Sequence, residues 1–98
     1  MVRGGTVYMI TNTYHTVLYV GVTSDIPTRI YQHKTKEDPN SFASKYNCYK
    51  LVYFEDFQFI EEAIDREKQV KKYSRKKKEQ LINGLNPNWE DLLDKYEW

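Results

Sequence analysis

Four side chains in the first third of the chain are suited to chemistry: the phenols Tyr8 and Tyr19, the Arg29 guanidinium and the His33 imidazole, all within 26 residues. A fifth, the Glu67 carboxylate, stands far downstream. Together these types suit hydrolysis of a phosphodiester. That reaction needs an activated water, a cation to offset charge on a phosphorane-like transition state, and stabilisation of the leaving oxygen. Arg29 offers a fixed fork for phosphate oxygens. Glu67 is a hard oxygen ligand suited to Mg²⁺ or Mn²⁺, ions that keep several waters and need few protein ligands. Tyr8, Tyr19 and His33 can order or deprotonate the water.

Two short runs, TVYMIT (6–11) and TVLYVGV (16–22), position the phenols. Both are rich in β-branched and aromatic residues, as strands are, and Asn12 to His15 supply turn chemistry. A hairpin whose paired positions sum to 27 sets Val7 and Met9 against Val20 and Leu18 on one apolar side. Tyr8 then lies opposite Tyr19, with both hydroxyls on the other face. Ser24-Asp25-Ile26-Pro27 marks a helix start, with Ser24 or Asp25 as the N-cap and proline in the first turn. Ile26 and Ile30 form the inward stripe of that helix, and Arg29 and His33, one turn apart, border it and lean towards the sheet.

Residues 1–5 read as a loose lead-in, residues 35–48 as a loop with one helical turn at 42–45, and residues 49–57 as a third strand. A helix is expected over 60–72, with Ile60, Ala63, Ile64, Glu67, Val70 and Lys71 on one stripe. Glu67 is the anomaly there. A carboxylate on a buried stripe must be paired, hydrogen-bonded or metal-bound. Ser74 caps a further helix over 75–83, and Gly84, Asn86 and Pro87 break the pattern. Trp89, Leu92, Leu93 and Tyr96 give a short amphipathic segment that packs back on the core. The sum is one small α/β domain of the α+β type over residues 1–98: a three-stranded antiparallel sheet flanked by helices, in the order β-β-α-β-α-α.

Composition narrows the classes further. Net charge is only +1, but residues 66–78 hold eight Lys or Arg against one Glu, and residues 86–98 hold four acids against one Lys. Such a polarised surface offers Lys71, Lys72, Arg75, Lys76 and Lys77 to a nucleic acid backbone. The single Cys48 leaves no internal disulfide and no multi-cysteine zinc site, in keeping with a reducing compartment. No apolar run reaches membrane-spanning length, no signal-peptide core opens the chain, and a cytoplasmic monomer is the expectation. His15 and His33 lack metal-site spacing, and no phosphate-cradling glycine motif or nucleophile elbow is present.

Each of these residues also has a plain structural role. Tyr8 and Tyr19 serve as cross-strand packing, Arg29 and His33 as a helix flank, Glu67 as the partner of Lys71 at i+4, and the basic run as a solvated face. Their co-occurrence around one pocket favours chemistry.

The residues match a known pattern. Thr6-Val7-Tyr8, followed eleven residues later by Tyr19 in Tyr19-Val20-Gly21, resembles the paired tripeptides of the GIY-YIG nuclease superfamily. An Arg-x-x-x-His helix (Arg29, His33) and a later helix carrying Glu67 follow in the same order. Thr6 stands at the first glycine of the pattern, and Val7 and Val20 at its isoleucines. The chain looks closest to the small stand-alone bacterial, YhbQ-like members. The resemblance implies that Tyr8 activates or positions the attacking water and that Tyr19 sits near the scissile phosphate. It implies that Arg29 binds and neutralises that phosphate, that His33 assists proton transfer or positions a tyrosine, and that Glu67 is the single protein ligand of one divalent ion. It also implies an active-site asparagine, for which Asn83 and Asn86 are the candidates. The expected activity is metal-dependent endonucleolytic hydrolysis of DNA, with branched, flapped or damaged structures favoured over a fixed base sequence. Two rival readings use the same residues: a non-catalytic nucleic-acid-binding module, and an adaptor that presents the aromatic, acidic end at 86–98. For a site that works, Tyr8, Tyr19, Arg29, His33 and Glu67 should line one open concavity with room for an ion at Glu67.

Overall fold

A computed structural model describes residues 4–98. The elements are β1 (Gly5–Thr11), β2 (Leu18–Thr23), α1 (Ile26–Thr35), a single turn α2 (Phe42–Lys45), β3 (Lys50–Phe57), α3 (Ile60–Lys71) and α4 (Arg75–Leu85). A 3₁₀ turn, Leu92–Asp94, follows. The sheet order is β2-β1-β3 with both pairings antiparallel, so β1 is the central strand. Of the lead-in expected at 1–5, Gly5 is instead a buried strand residue paired with Phe57, and residues 1–3 lie outside the described part. No helix among the described residues is long and apolar enough to cross a membrane.

The hairpin register differs from expectation by two residues. Tyr8 faces Gly21, Met9 faces Val20 and Ile10 faces Tyr19, so paired positions sum to 29. The connection is longer than four residues because Asn12 builds a loop of its own. Its Oδ1 accepts from the Thr16 and Val17 amides at 2.9 and 3.1 Å, and the Thr11 hydroxyl donates to the Val17 carbonyl at 2.7 Å. A shift of two preserves strand parity, so Tyr8 and Tyr19 still share a face.

The sheet is covered on both sides. Val7, Met9, Val20, Val52, Ala63, Val70 and Ile82 form one apolar cluster, under α3 and α4. Tyr8, Ile10, Ile26, Ile30, Ala43, Cys48, Leu51 and Leu92 form the other, under α1, α2 and the 3₁₀ turn. A central strand buried on both faces reads as a nearly continuous apolar run, as VYMI does. Two helices depart from expectation. In α3, Ile64 and Lys71 turn outward, and the buried positions are Ala63 and Val70. In α4, Gly84 does not break the helix: the helix continues to Leu85 and stops at Asn86. Among the described residues no glycine has positive φ, so Gly84 acts as an ordinary, weaker helical residue.

A bulge in β3 fixes the far edge. Met9 pairs with Tyr53 but Ile10 pairs with Leu51, which leaves Val52 as the extra residue. Its carbonyl therefore needs another donor, and buried Asn86 supplies one through Nδ2 at 3.1 Å. The same amide group donates to the Glu90 carbonyl at 2.8 Å, while its Oδ1 accepts from the Glu90 amide at 3.0 Å. This ties the chain after α4 to the sheet, from where Leu92 enters the core and Tyr96 and Trp98 close edge-on against Phe54.

Asn86→Ala should therefore cost about 2–4 kcal/mol, because a buried carbonyl loses its donor along with two further bonds. Urea unfolding monitored by tryptophan fluorescence measures this. A shift below about 0.5 kcal/mol would show that the bulge does not depend on Asn86.

Candidate active site

The site is built around Tyr8. Its strand position turns the phenol towards α1, and its register places Gly21 opposite. The ring lies across that glycine so closely that a Cβ at position 21 would collide with the phenol oxygen and Cζ. Glycine is required here for close approach rather than for its backbone angles. The ring is thereby pressed between β2 and α1, and Tyr8 is only 1% exposed.

Helix α1 brings the partners. Asp25, one of the two N-cap candidates, is the cap: its carboxylate accepts from the Thr28 amide, with Pro27 in the first turn. Ile26 and Ile30 are buried, which turns Arg29 and His33 onto the phenol. The Tyr8 hydroxyl lies 3.0 Å from His33 Nε2, and Arg29 Nε donates to the same oxygen at 3.4 Å. Arg29 can only donate. The arrangement that uses every group is Arg29 Nε–H to the phenol oxygen and the phenol O–H to Nε2, with the imidazole proton on Nδ1.

Burial dominates the electrostatics. It pushes the Tyr8 phenol up to about 12 against the opposing pull of Arg29, and the Tyr19 and Glu67 charges add to the rise. It pushes the His33 imidazole down to about 4, with the Arg29 charge acting in the same direction. Both are neutral near pH 7. The hydrogen bond with Tyr8 raises Arg29 further, so the cation is permanent. Helix α3, which carries Glu67, packs on the opposite face of the sheet from α1.

Tyr19 is the more accessible phenol. Its ring meets His33 edge-on at 5.7 Å and lies 6.4 Å from the Tyr8 ring. The Arg29 guanidinium also donates to Gln32 Oε1 at 3.1 Å. Gln32, one turn from Arg29, was not singled out in the sequence; its polar side chain at i+3 is the signal that could have found it. Arg29 and His33 line a cavity of about 220 Å³ whose other walls are Gln32, Glu37, Asp38, Ser41 and Ser44. The five candidates thus do not line one concavity, contrary to expectation, because Tyr8 is sealed beneath Arg29 and His33. A larger hollow of about 610 Å³, between the start of β1 and Trp98, includes none of them.

Glu67 is 14% exposed and its Oε2 pairs with Lys71 Nζ at 3.1 Å. Lys71 is 50% exposed, so it can exchange this contact for water at little cost. No group of three or more His, Cys, Asp or Glu converges among the described residues. A single accessible carboxylate suits only an ion that retains most of its water, which is the coordination habit of Mg²⁺.

The other sequence candidates separate. Arg75 is engaged: it pairs with Glu79 at 2.8 Å and donates to the His15 and Thr16 carbonyls at 2.6 and 3.1 Å, clamping the hairpin loop. Lys77 sits 4.0 Å above the Tyr73 ring. Lys72 and Lys76 are exposed and have no ion pair among the described residues. Asn83 accepts from Trp89 Nε1 at 2.7 Å, and Asn86 is consumed by the bulge and Glu90. Neither asparagine bonds to Tyr8, Tyr19, Arg29, His33 or Glu67, so the structure does not bring an asparagine to the other five.

Comparison with known proteins gives a consistent result. A family model described as the GIY-YIG catalytic domain matches residues 4–80. A UPF0213 protein of Haloquadratum walsbyi is 34% identical over 79 residues, covering 71% of this chain and 88% of that protein. A UPF0213 protein of Staphylococcus saprophyticus is 39% identical over 70 residues, covering 67% of this chain and 79% of its own. The solution NMR structure of a UPF0213 protein from Bacillus halodurans superposes with a TM-score of 0.56 at 30% identity, covering 89% of this chain and 90% of that one.

The buried imidazole makes stability depend on pH. His33 is held at about 4 in the folded chain against an ordinary 6.5, so between those values the unfolded chain binds the extra proton. Stability is then full above about pH 6.5 and falls as pH drops towards 4, by about 2–3 kcal/mol for this group. Urea midpoints of the wild type and His33→Gln, compared at pH 7 and 4.5, isolate the effect. The wild type should lose more stability than the variant, and equal losses would refute a neutral buried His33.

Proposed function

Because this chain belongs to the GIY-YIG family, a nuclease superfamily, in its small UPF0213 branch, we propose that it is a divalent-metal-dependent endonuclease that hydrolyses DNA phosphodiester bonds. The observation that carries this reading is the hydrogen-bonded chain Arg29–Tyr8–His33, a fixed cation, a phenol and an imidazole held together beside a cavity.

Each group has a defined part. Arg29 has N–H donors beyond those given to Tyr8 and Gln32, and these take the non-bridging oxygens of the scissile phosphate. Its bond to Tyr8, at 3.4 Å, is the weaker of the phenol's two contacts, so the guanidinium can lift towards a phosphate and uncover the hydroxyl. Tyr8 then positions the attacking water, with its own O–H held by His33 Nε2. Tyr19, whose ring meets His33 edge-on, orients the water against the phosphate. When bound at Glu67, Mg²⁺ or Mn²⁺ supplies charge neutralisation at the phosphate and the leaving oxygen. Lys72 and Lys76 hold the flanking backbone by charge alone, so affinity is modest and falls with salt. That favours recognition of DNA shape (branches, flaps or damage) over base sequence.

One observation favours the second reading, a nucleic-acid-binding module without catalysis: Glu67 is already held by Lys71. Assay of nicked, flapped and branched DNA with Mg²⁺ and Mn²⁺ decides between them. Glu67→Gln should lower the cleavage rate by about 10²–10⁴-fold without lowering stability, and Lys71→Ala should lower the metal concentration required. Lys76→Glu should weaken DNA binding. Wild type no faster than Glu67→Gln under every condition leaves the binding module.

A further inference from the structure

The single turn α2 is built against hydrophobic logic. It buries its small residues, Ala43 and Ser44, and turns out its large ones: Phe42 is 47% exposed and Tyr46, just beyond its end, 49%. The segment is nevertheless firmly set. Ser41 caps it through the Ser44 amide, Cys48 is fully buried behind it and donates its amide to the Ala43 carbonyl at 2.9 Å, and the Tyr49 amide reaches the Thr11 carbonyl of β1. The exposed rings are therefore displayed by a fixed mount.

The rings are also continuous with the candidate active site. Phe42 lies almost parallel to Tyr19, with centroids 6.1 Å apart and planes at 26°, and Tyr46 lies 4.7 Å from Phe42. Tyr19 in turn touches His33. A file of aromatic faces thus leads from the candidate phosphate site outward over α2, with the exposed Lys45 on the same turn.

We propose that Phe42 and Tyr46 form a stacking platform for unpaired bases of the strand whose phosphate enters at Arg29. This rests on the reading of that site as a nucleic acid phosphate site, and it specifies the substrate further. A base inside a duplex is covered on both faces by its neighbours and has no face to offer Phe42. A base in a single strand, a flap or a frayed junction has one, and ring stacking is indifferent to which base it is. The continuity from Tyr19 to Phe42 to Tyr46 selects a nucleobase as the occupant rather than an unrelated apolar partner. The nucleotides beside the cleaved bond are then single-stranded.

Fluorescence anisotropy with a labelled oligonucleotide in EDTA tests this, using one sequence presented as a single strand and as a blunt duplex. Wild type should bind the single strand more tightly at equal salt. Phe42→Ala should weaken single-strand binding by roughly 10-fold and leave duplex binding unchanged. Phe42→Leu, which keeps an apolar contact on Tyr19 but not a flat ring, should behave as Phe42→Ala, while Phe42→Trp should retain affinity. Urea midpoints within about 1 kcal/mol of wild type establish that the variants are folded; were Phe42→Ala to fail this, Phe42→Leu and Tyr46→Ala carry the comparison. Equal losses on both DNA forms, or wild-type preference for the duplex, overturn the platform while leaving a nucleic acid site intact. Binding of neither form, by any variant, overturns the underlying reading and the platform with it.

Discussion

The close passage of the Tyr8 ring over Gly21 governs the arrangement of the rest. It requires the register in which residue 8 faces residue 21, and it requires that β2 carry no side chain there. It holds a phenol under α1, where a hydroxyl needs partners because an unpaired buried polar group is costly. Arg29 and His33 are those partners, and α1 can offer them only because Ile26 and Ile30 anchor its other positions. Removing one member leaves the others in an apolar setting without compensation. The group is best regarded as a single structural unit that also holds an unusual set of proton affinities.

Much of this was legible in the sequence because period and capping are local. The two strands, a cap at Ser24 or Asp25, the turn at 42–45 and the element order follow from residue types a few positions apart. The two-residue error in the hairpin arose where a non-local fact intervened. The apolar match Val7–Val20 looked sufficient, but the Asn12 side chain builds a longer loop and the Tyr8 ring needs Gly21 beneath it. Asn86 is a similar case. A bulge at Val52 cannot be seen from the pattern of β3, so the amide that serves its carbonyl read equally well as an active-site group.

The basic stretch shows why counting charge overstates a binding face. Arg66 pairs with Glu55 and donates to Tyr73, Lys71 pairs with Glu67, Arg75 clamps the hairpin loop and Lys77 covers an aromatic ring. Several of the cations in that segment thus hold the domain together, including two contacts that reach other elements. Lys68, Lys72, Lys76 and Lys78 have no side-chain partner among the described residues.

The position of β1 has a consequence for how the molecule assembles. Both apolar clusters use alternate residues of this one strand, and its two neighbours pair with it rather than with each other. Neither cluster can mature before β1 is inserted, and its pairing with β3 closes a loop that contains the hairpin, α1 and α2. Such non-local closure is the slow, entropy-limited step of folding. Tyr8 shares its apolar cluster with Ala43, Cys48 and Leu51, so its full burial waits on that closure. The shielding that sets the proton affinities of Tyr8 and His33 is in this way a property of the closed sheet rather than of the hairpin and α1 alone.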